Sequence, residues 1–183
     1  MVGLVQKLLF EMIESSAGAD AACEVRRRAE VPQDKVFHIN EVYDDAEWRR
    51  LFAATLDVLN LTQEQAEEAY ADFFLKDGQT RWPMWFKMAK NAREFLVRQP
   101  KIHNGFATSQ QDPALRSAID DKFKIEERDG ELVVHYRSPN QLCGLYMALA
   151  RWIINHYGDN AVVEEACCAK NGALECEIHV CWS

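Results

Sequence analysis

The amino-acid order predicts an α+β fold: a helical N-terminal half, then a mainly antiparallel sheet with one long helix inserted in it. Three observations carry this expectation. Apolar residues recur at three- and four-residue spacing through roughly the first hundred positions. Strand-like runs flank the turn signals Arg128-Asp129-Gly130 and Lys170-Asn171-Gly172. Between those hairpins, residues 142–157 place Leu142, Leu145, Tyr146, Leu149, Trp152 and Ile153 at helical spacing, and Gly158 ends the run.

Taken in order, residues 2–14 form an amphipathic helix through Val2, Val5, Leu8, Leu9, Met12 and Ile13, with Gly18 marking its end. Residues 23–29 read as a short helix whose Arg26, Arg27 and Arg28 form a solvated face before Pro32. Asp44 or Asp45 caps the next helix, which buries Trp48, Leu51, Phe52 and Leu56. Thr62 with Gln65 fits a capping box, and the helix it opens turns Ala66, Ala69, Tyr70, Phe73 and Phe74 inward. A break at Gly78 and Trp82-Pro83 leads to a further helix over 84–99, whose track continues through Pro100 to His103. Strands follow over 122–127 and 131–138, then the helix 142–157, then strands over 161–169 and 174–182.

At 183 residues the chain suits a single domain, which would bury ~70% of its unfolded surface and leave room for a ligand cavity. With 21 basic against 29 acidic residues, net −8, the balance argues against nucleic acid or an anionic membrane surface as the main partner. The N-terminus lacks a charged-then-apolar leader, and no apolar run is long enough to span a bilayer. The expected setting is cytoplasmic, where clustered cysteines more often bind metal than pair as disulfides. No nucleophile with a matched base and no phosphate loop is evident, so the chain reads as a binding protein and not an enzyme.

Residues 132–145, LVVHYRSPNQLCGL, concentrate the chemistry. Strand alternation sets Tyr136 and Ser138 on one face with Leu132 and Val134, while Val133, His135 and Arg137 point the other way. Two hydroxyl donors above an apolar face suit a ligand with an apolar body and carboxylate ends. His103 lies on an apolar helical stripe with Phe95, Leu96 and Gln99, a place where a histidine is ordinarily a satisfied core residue.

This stretch resembles the H-NOX family, the haem nitric oxide/oxygen binding domains, whose Tyr-x-Ser-x-Arg motif holds the haem propionates just before a helix. Tyr136 and Ser138 match the motif, and Asn140 stands where the family has Arg. An amide offers neither the charge nor the fork of a guanidinium. The order of elements also matches, so the resemblance implies one domain over residues 1–183 that holds haem b. It implies His103 as the proximal iron ligand, since the family's ligand is a helical histidine ahead of the Tyr-x-Ser strand. His38 lies too early, His135 points from the wrong strand face, and His156 and His179 follow the motif. Pro100 in the ligand helix is a departure, as is the sequence Asp120-Asp121-Lys122-Phe123 where relatives carry a proline against the haem.

The resemblance further implies a distal wall. Leu145 takes the position that is a tyrosine in dioxygen-binding relatives, with Tyr146 one residue away, and Val5, Leu9, Phe74 and Leu75 complete the apolar side. In a zinc-binding subset of the family, cysteines occur where this chain has Cys143, Cys168 and Cys176, with a histidine at the place of Glu165. A tetrahedral zinc needs a fourth donor, which Glu165 or Cys167 could supply, whereas Cys181 falls on the strand face opposite Cys176.

The function implied is a haem-based nitric oxide sensor that also takes carbon monoxide. Ligation would weaken the iron–His103 bond, relax its helix, and be read by a separate protein. In bacterial relatives that protein is often a histidine kinase or a cyclic-dinucleotide enzyme. The alternative is a haem-free small-ligand or interaction module of the vinyl reductase-like type, which looks similar in layout and in its C-terminal cysteines.

Overall fold

A computed structural model describes residues 1–107, Pro113, Arg116 and 122–183. The described chain divides into two compact units, Met1–Phe73 and Phe74–Ser183.

In the first unit, α1 (Gly3–Arg28) departs from helical geometry at Gly18 (φ 86°, ψ 171°), so two helices meet end to end at the expected glycine. Gly3 is required for a different reason. Its N–H donates to Glu41 O at 2.8 Å, and a Cβ there would stand 2.2 Å from the His38 carbonyl oxygen. α2 (Asp45–Leu59) is capped by Asp44, whose carboxylate accepts the Ala46 N–H at 3.0 Å, and it ends on Asn60 in the left-handed region. α3 (Gln63–Arg81) opens with a reciprocal capping box: Gln65 N–H donates to Thr62 Oγ1 and Thr62 N–H to Gln65 Oε1. Between them the helices enclose Leu8, Ile13, Trp48, Leu51 and Tyr70, all at most 1% exposed. The Tyr70 hydroxyl stays satisfied by donating to Val5 O at 2.9 Å.

Some expectations shift here. Arg26 does not belong to a solvated face: its guanidinium lies 4.0 Å from the Phe10 ring centroid and donates to Lys35 O. Arg27 and Arg28 do face outward, paired with Glu24. Ala69 is exposed, because Ala66, Tyr70 and Ala71 take the inner stripe of α3. Nor does Gly78 break α3, which runs to Arg81 and stops at Trp82 because the residue before a proline is driven out of the helical region.

The second unit is an antiparallel sheet with helices packed on it. α4 (Pro83–Lys87) and α5 (Ala92–Ala107) replace the single helix expected over 84–99. The division is a capping event, since Asn91 Oδ1 accepts the Glu94 N–H at 2.8 Å and Asp159 Oδ2 accepts the Ala92 N–H at 2.6 Å. α5 continues through Pro100 as expected. β1 (Phe123–Arg128) and β2 (Glu131–Tyr136) form a hairpin, α6 spans Cys143–Tyr157, and β3 (Ala161–Cys167) and β4 (Cys176–Trp182) form a second hairpin. Strand order is β1-β2-β4-β3, antiparallel throughout. The Asn171-Gly172 connection is wider than a two-residue turn: a short 3₁₀ turn, Ala169–Asn171, precedes Gly172 at φ 93°. Asp120 and Asp121, where relatives carry the proline, lie outside the described residues.

The inner sheet face, with Leu132, Val134, Ile178 and Val180 fully buried, packs with Phe86, Leu96 and Ile153. Burial of each such side chain contributes about 1.5–3 kcal/mol. No described helix is long and apolar enough to cross a membrane. On the outer face His179 ties β2 to β4: Nδ1 meets Glu131 at 2.5 Å and Nε2 meets Glu177 at 2.7 Å. Both nitrogens can donate only in the imidazolium, so the contacts with Glu177 and Glu131 raise the histidine above its ordinary value. The same contacts hold both carboxyls below theirs. The cluster's contribution to stability is therefore lost as pH rises through the raised histidine value, and also as pH falls through the lowered carboxylate values. His179→Gln should cost more stability at about pH 6 than at about pH 9, measured as paired urea unfolding midpoints.

Candidate functional site

In the second unit, the end of α3, α4, α5 and α6 surround an apolar cavity of about 70 Å³. Phe74 and Leu75 contribute from α3, Trp85 and Phe86 from α4, Phe95, Leu96 and Ile102 from α5, and Leu149 and Ile153 from α6. Gln99 supplies a polar element in the wall. Its Oε1 is buried, with no hydrogen-bond partner among the described residues. The volume is below the ~300–1,000 Å³ of typical ligand pockets, so a large planar ligand requires the lining to part.

His103 follows Ile102 by one residue on α5, and its half-buried ring meets Phe123 edge-on, centroids 5.1 Å apart. Phe123 also packs against Tyr136 at 4.9 Å and Tyr146 at 5.5 Å. This first residue of β1 thus gathers rings from α5, β2 and α6. It had no assigned role in the sequence, although Phe123 and Ile125 alternating with charged neighbours mark the inward face of β1.

The residues 136–142 form a tight connection from β2 to α6. Tyr136, 3% exposed, accepts the Leu142 N–H at 3.3 Å on its phenol oxygen. Burial pushes the phenol up to about 12, although bonds from Ser138 and the Leu142 N–H work against the shift. It is a neutral donor at physiological pH. Ser138 Oγ accepts the Asn140 N–H at 3.2 Å, and Ser138 O accepts the Gln141 N–H at 3.1 Å, with Gln141 held at φ 50°. Asn140 is 7% exposed, and neither atom of its amide group has a partner among the described residues.

On α6, Leu145 and Tyr146 are both buried, and Tyr146 belongs to the core that includes Tyr136 and Cys143. The Tyr146 phenol oxygen is buried without a partner among the described residues, and desolvation pushes its pKa up. Val5 and Leu9 lie on α1 in the first unit; Leu9 is fully buried and Val5 half-buried.

Four donors converge where α6 begins. The ligand atoms of Cys143, Glu165, Cys168 and Cys176 all lie within 4.8 Å of one another. The Cys143–Cys168 and Cys168–Cys176 sulfur separations are 3.5 and 3.7 Å. Tetrahedral zinc with ~2.3 Å bonds to sulfur sets thiolates ~3.8 Å apart, so the spacing suits that ion. A register shift in β3 between Glu165 and Cys167 precedes this point, and the Ala169 N–H donates to Cys176 Sγ at 3.3 Å. Cys167 lies outside the group, exposed, with its thiol on Glu175 O. Burial first, and contact with neighbouring thiols and Glu165 after it, pushes the Cys143 thiol up. A cation among the sulfurs would reverse that shift.

The Haem-NO-binding family model matches residues 2–165. Soluble guanylate cyclase gcy-37 of Caenorhabditis elegans is 31% identical over 105 residues, 56% of this chain and 15% of that protein. This chain therefore spans a small part of that relative's length. Among solved structures, an H-NOX protein from S. oneidensis in its Fe(II)NO ligation state superposes with TM-score 0.82, at 16% identity, covering 100% of this chain and 99% of that one. The Fe(II) unliganded H-NOX protein from K. algicida gives 0.77 at 16% identity, with 100% and 97% covered.

Tyr136→Phe removes the acceptor of the Leu142 N–H at the start of α6. It should cost about 1 kcal/mol, read as a lower urea midpoint at unchanged slope.

Proposed function

Because this chain belongs to the Haem-NO-binding family, we propose that it is a haem-based nitric oxide sensor, not itself an enzyme, that reports ligation to a separate protein. The observation that carries this reading is the place of His103, on the helix that walls the apolar cavity and against the ring that Tyr136 shares.

The residues present suit the group. The cavity wall is predominantly apolar, with Gln99 and the Trp85 indole as its polar side chains, which suits a porphyrin body, and an imidazole of moderate burial is a common iron ligand. Haem would supply a ferrous iron able to take nitric oxide or carbon monoxide. His103 would hold that iron, with Phe123 fixing the plane of its ring. Tyr136, Ser138 and Asn140 would meet the carboxylate ends as neutral donors, and the buried Nδ2 of Asn140, without a partner among the described residues, has N–H groups to offer. Phe74 and Leu75 would exclude water. Leu145 gives no hydrogen bond, so a polar dioxygen complex would lack support while nitric oxide and carbon monoxide would not need it.

Cys143, Cys168, Cys176 and Glu165 would hold one structural zinc, joining the start of α6 to the second hairpin, with Cys167 outside the set. Six free thiols fit a reducing cytoplasm. The signalling partner would be a histidine kinase or a cyclic-dinucleotide enzyme. The small cavity and the uncharged Asn140 favour one second reading, a haem-free ligand-binding module of the vinyl reductase-like type.

Purified with a haem supply, the protein should show a Soret band that takes nitric oxide and carbon monoxide but forms no stable dioxygen complex in air. His103→Ala should lose or shift that band, and added imidazole should restore it. An unchanged spectrum in the variant would remove His103 from its role, and absence of haem would leave the second reading. Elemental analysis should find about one zinc per chain, absent in Cys176→Ser, with chelation lowering the thermal midpoint because binding free energy adds to folding free energy.

A further inference from the structure

Among the described residues, five large apolar side chains stand exposed: Val36, Met84, Met88, Val162 and Leu174. Met84 and Met88, each 58% exposed, lie four residues apart on and just after α4, so they share one face. Exposed Lys87 lies between them and exposed Lys90 just beyond. Trp82 and Trp85, half-buried, stack on each other at 4.6 Å, and Trp85 turns into the cavity wall.

The charge here runs against the rest of the chain. Residues 78–93 contain Arg81, Lys87, Lys90 and Arg93 and no Asp or Glu, in a protein of net charge −8. Arg81 is paired with Asp77, and Arg93 turns away toward Glu127 and the Trp182 ring. Of the flanking acids, Asp77 is thus taken by Arg81, and Glu94 accepts the Lys90 backbone N–H. The Arg98 guanidinium meets Met88 Sδ at 3.4 Å and adds a cation to the face. The turn is firmly mounted: Phe86 is buried below it, and the Phe86 carbonyl accepts the Tyr157 hydroxyl at 2.7 Å.

We propose that the Met84–Lys87–Met88–Lys90 face docks on an anionic lipid bilayer as a peripheral, reversible anchor. Two methionines can enter the headgroup and acyl boundary, and lysines can meet lipid phosphates. Size argues against a protein partner: a stable interface buries about 800 Å² per side, and this face offers two exposed apolar side chains. A second copy is disfavoured by charge, because a two-fold contact would bring Lys87 and Lys90 against their own images. The remaining surface, being net acidic, is repelled by the same bilayer, so contact is restricted to this side.

The test is sedimentation of the full chain with vesicles of equal parts phosphatidylcholine and phosphatidylglycerol, against phosphatidylcholine alone. The protein should pellet with the mixed vesicles only, and added salt should release it. Met84→Ser with Met88→Ser, and separately Lys87→Glu with Lys90→Glu, should each weaken binding by about tenfold or more while unfolding like wild type. No pelleting with mixed vesicles, or pelleting unaffected by both double variants, overturns the proposal. So does a concentration-dependent dimer, or a complex with polyglutamate, that needs the two methionines in the absence of vesicle binding.

Discussion

The bond from the Leu142 N–H to the Tyr136 phenol is the contact that sets how β2 hands over to α6. It closes the connection 137–142 between a buried strand and a buried helix, so the end of β2 and the start of α6 cannot move independently. Ser138 and the left-handed Gln141 complete the turn, and Cys143 stands at the first position of α6. A phenol used in this way is anchored by backbone geometry before any ligand arrives. That arrangement lowers the ordering cost of whatever else the hydroxyl must bind.

Much of this was legible in the sequence, and the legible parts share a cause. Gly18, the Asp44 cap, the Thr62–Gln65 box and the Gly158 stop are local events, decided by groups within a few residues, and they occur where the sequence places them. The cut between α4 and α5 is equally local but lies hidden in the sequence. Asn91 with Glu94 three residues on is a start signal that the apolar periodicity running through it concealed. The place of Arg26 is not legible for a different reason: a cation over the Phe10 ring is a tertiary contact with no sequence signature. The site divides in the same way. The candidate residues could be chosen from spacing and family likeness, while the common ring, Phe123, becomes apparent only once β1 lies beside α5 and α6.

The cysteine cluster and the α4 face both illustrate how averages mislead. Three buried thiols look like ordinary core by composition, yet their sulfurs and a carboxylate of Glu165 all lie within 4.8 Å of one another, which makes them a donor set as well. Likewise a net charge of −8 describes the chain as a whole and hides sixteen consecutive residues, 78–93, without an acid. In both places the relevant quantity is local, within a Debye length of about 8 Å, and chain-wide sums carry little information about it.

Pro100 divides α5 mechanically. A proline has no N–H to give the carbonyl four residues back, so the rung that would join Leu96 to position 100 is missing. Leu96, on one side of the gap, is 1% exposed and fixed in the core; His103, on the other, is half-buried. A helix bends most easily where a rung is absent. The turn that carries Ile102 and His103 is therefore joined to the clamped part of α5 by one backbone hydrogen bond fewer, and bending strain along the helix concentrates at residue 100.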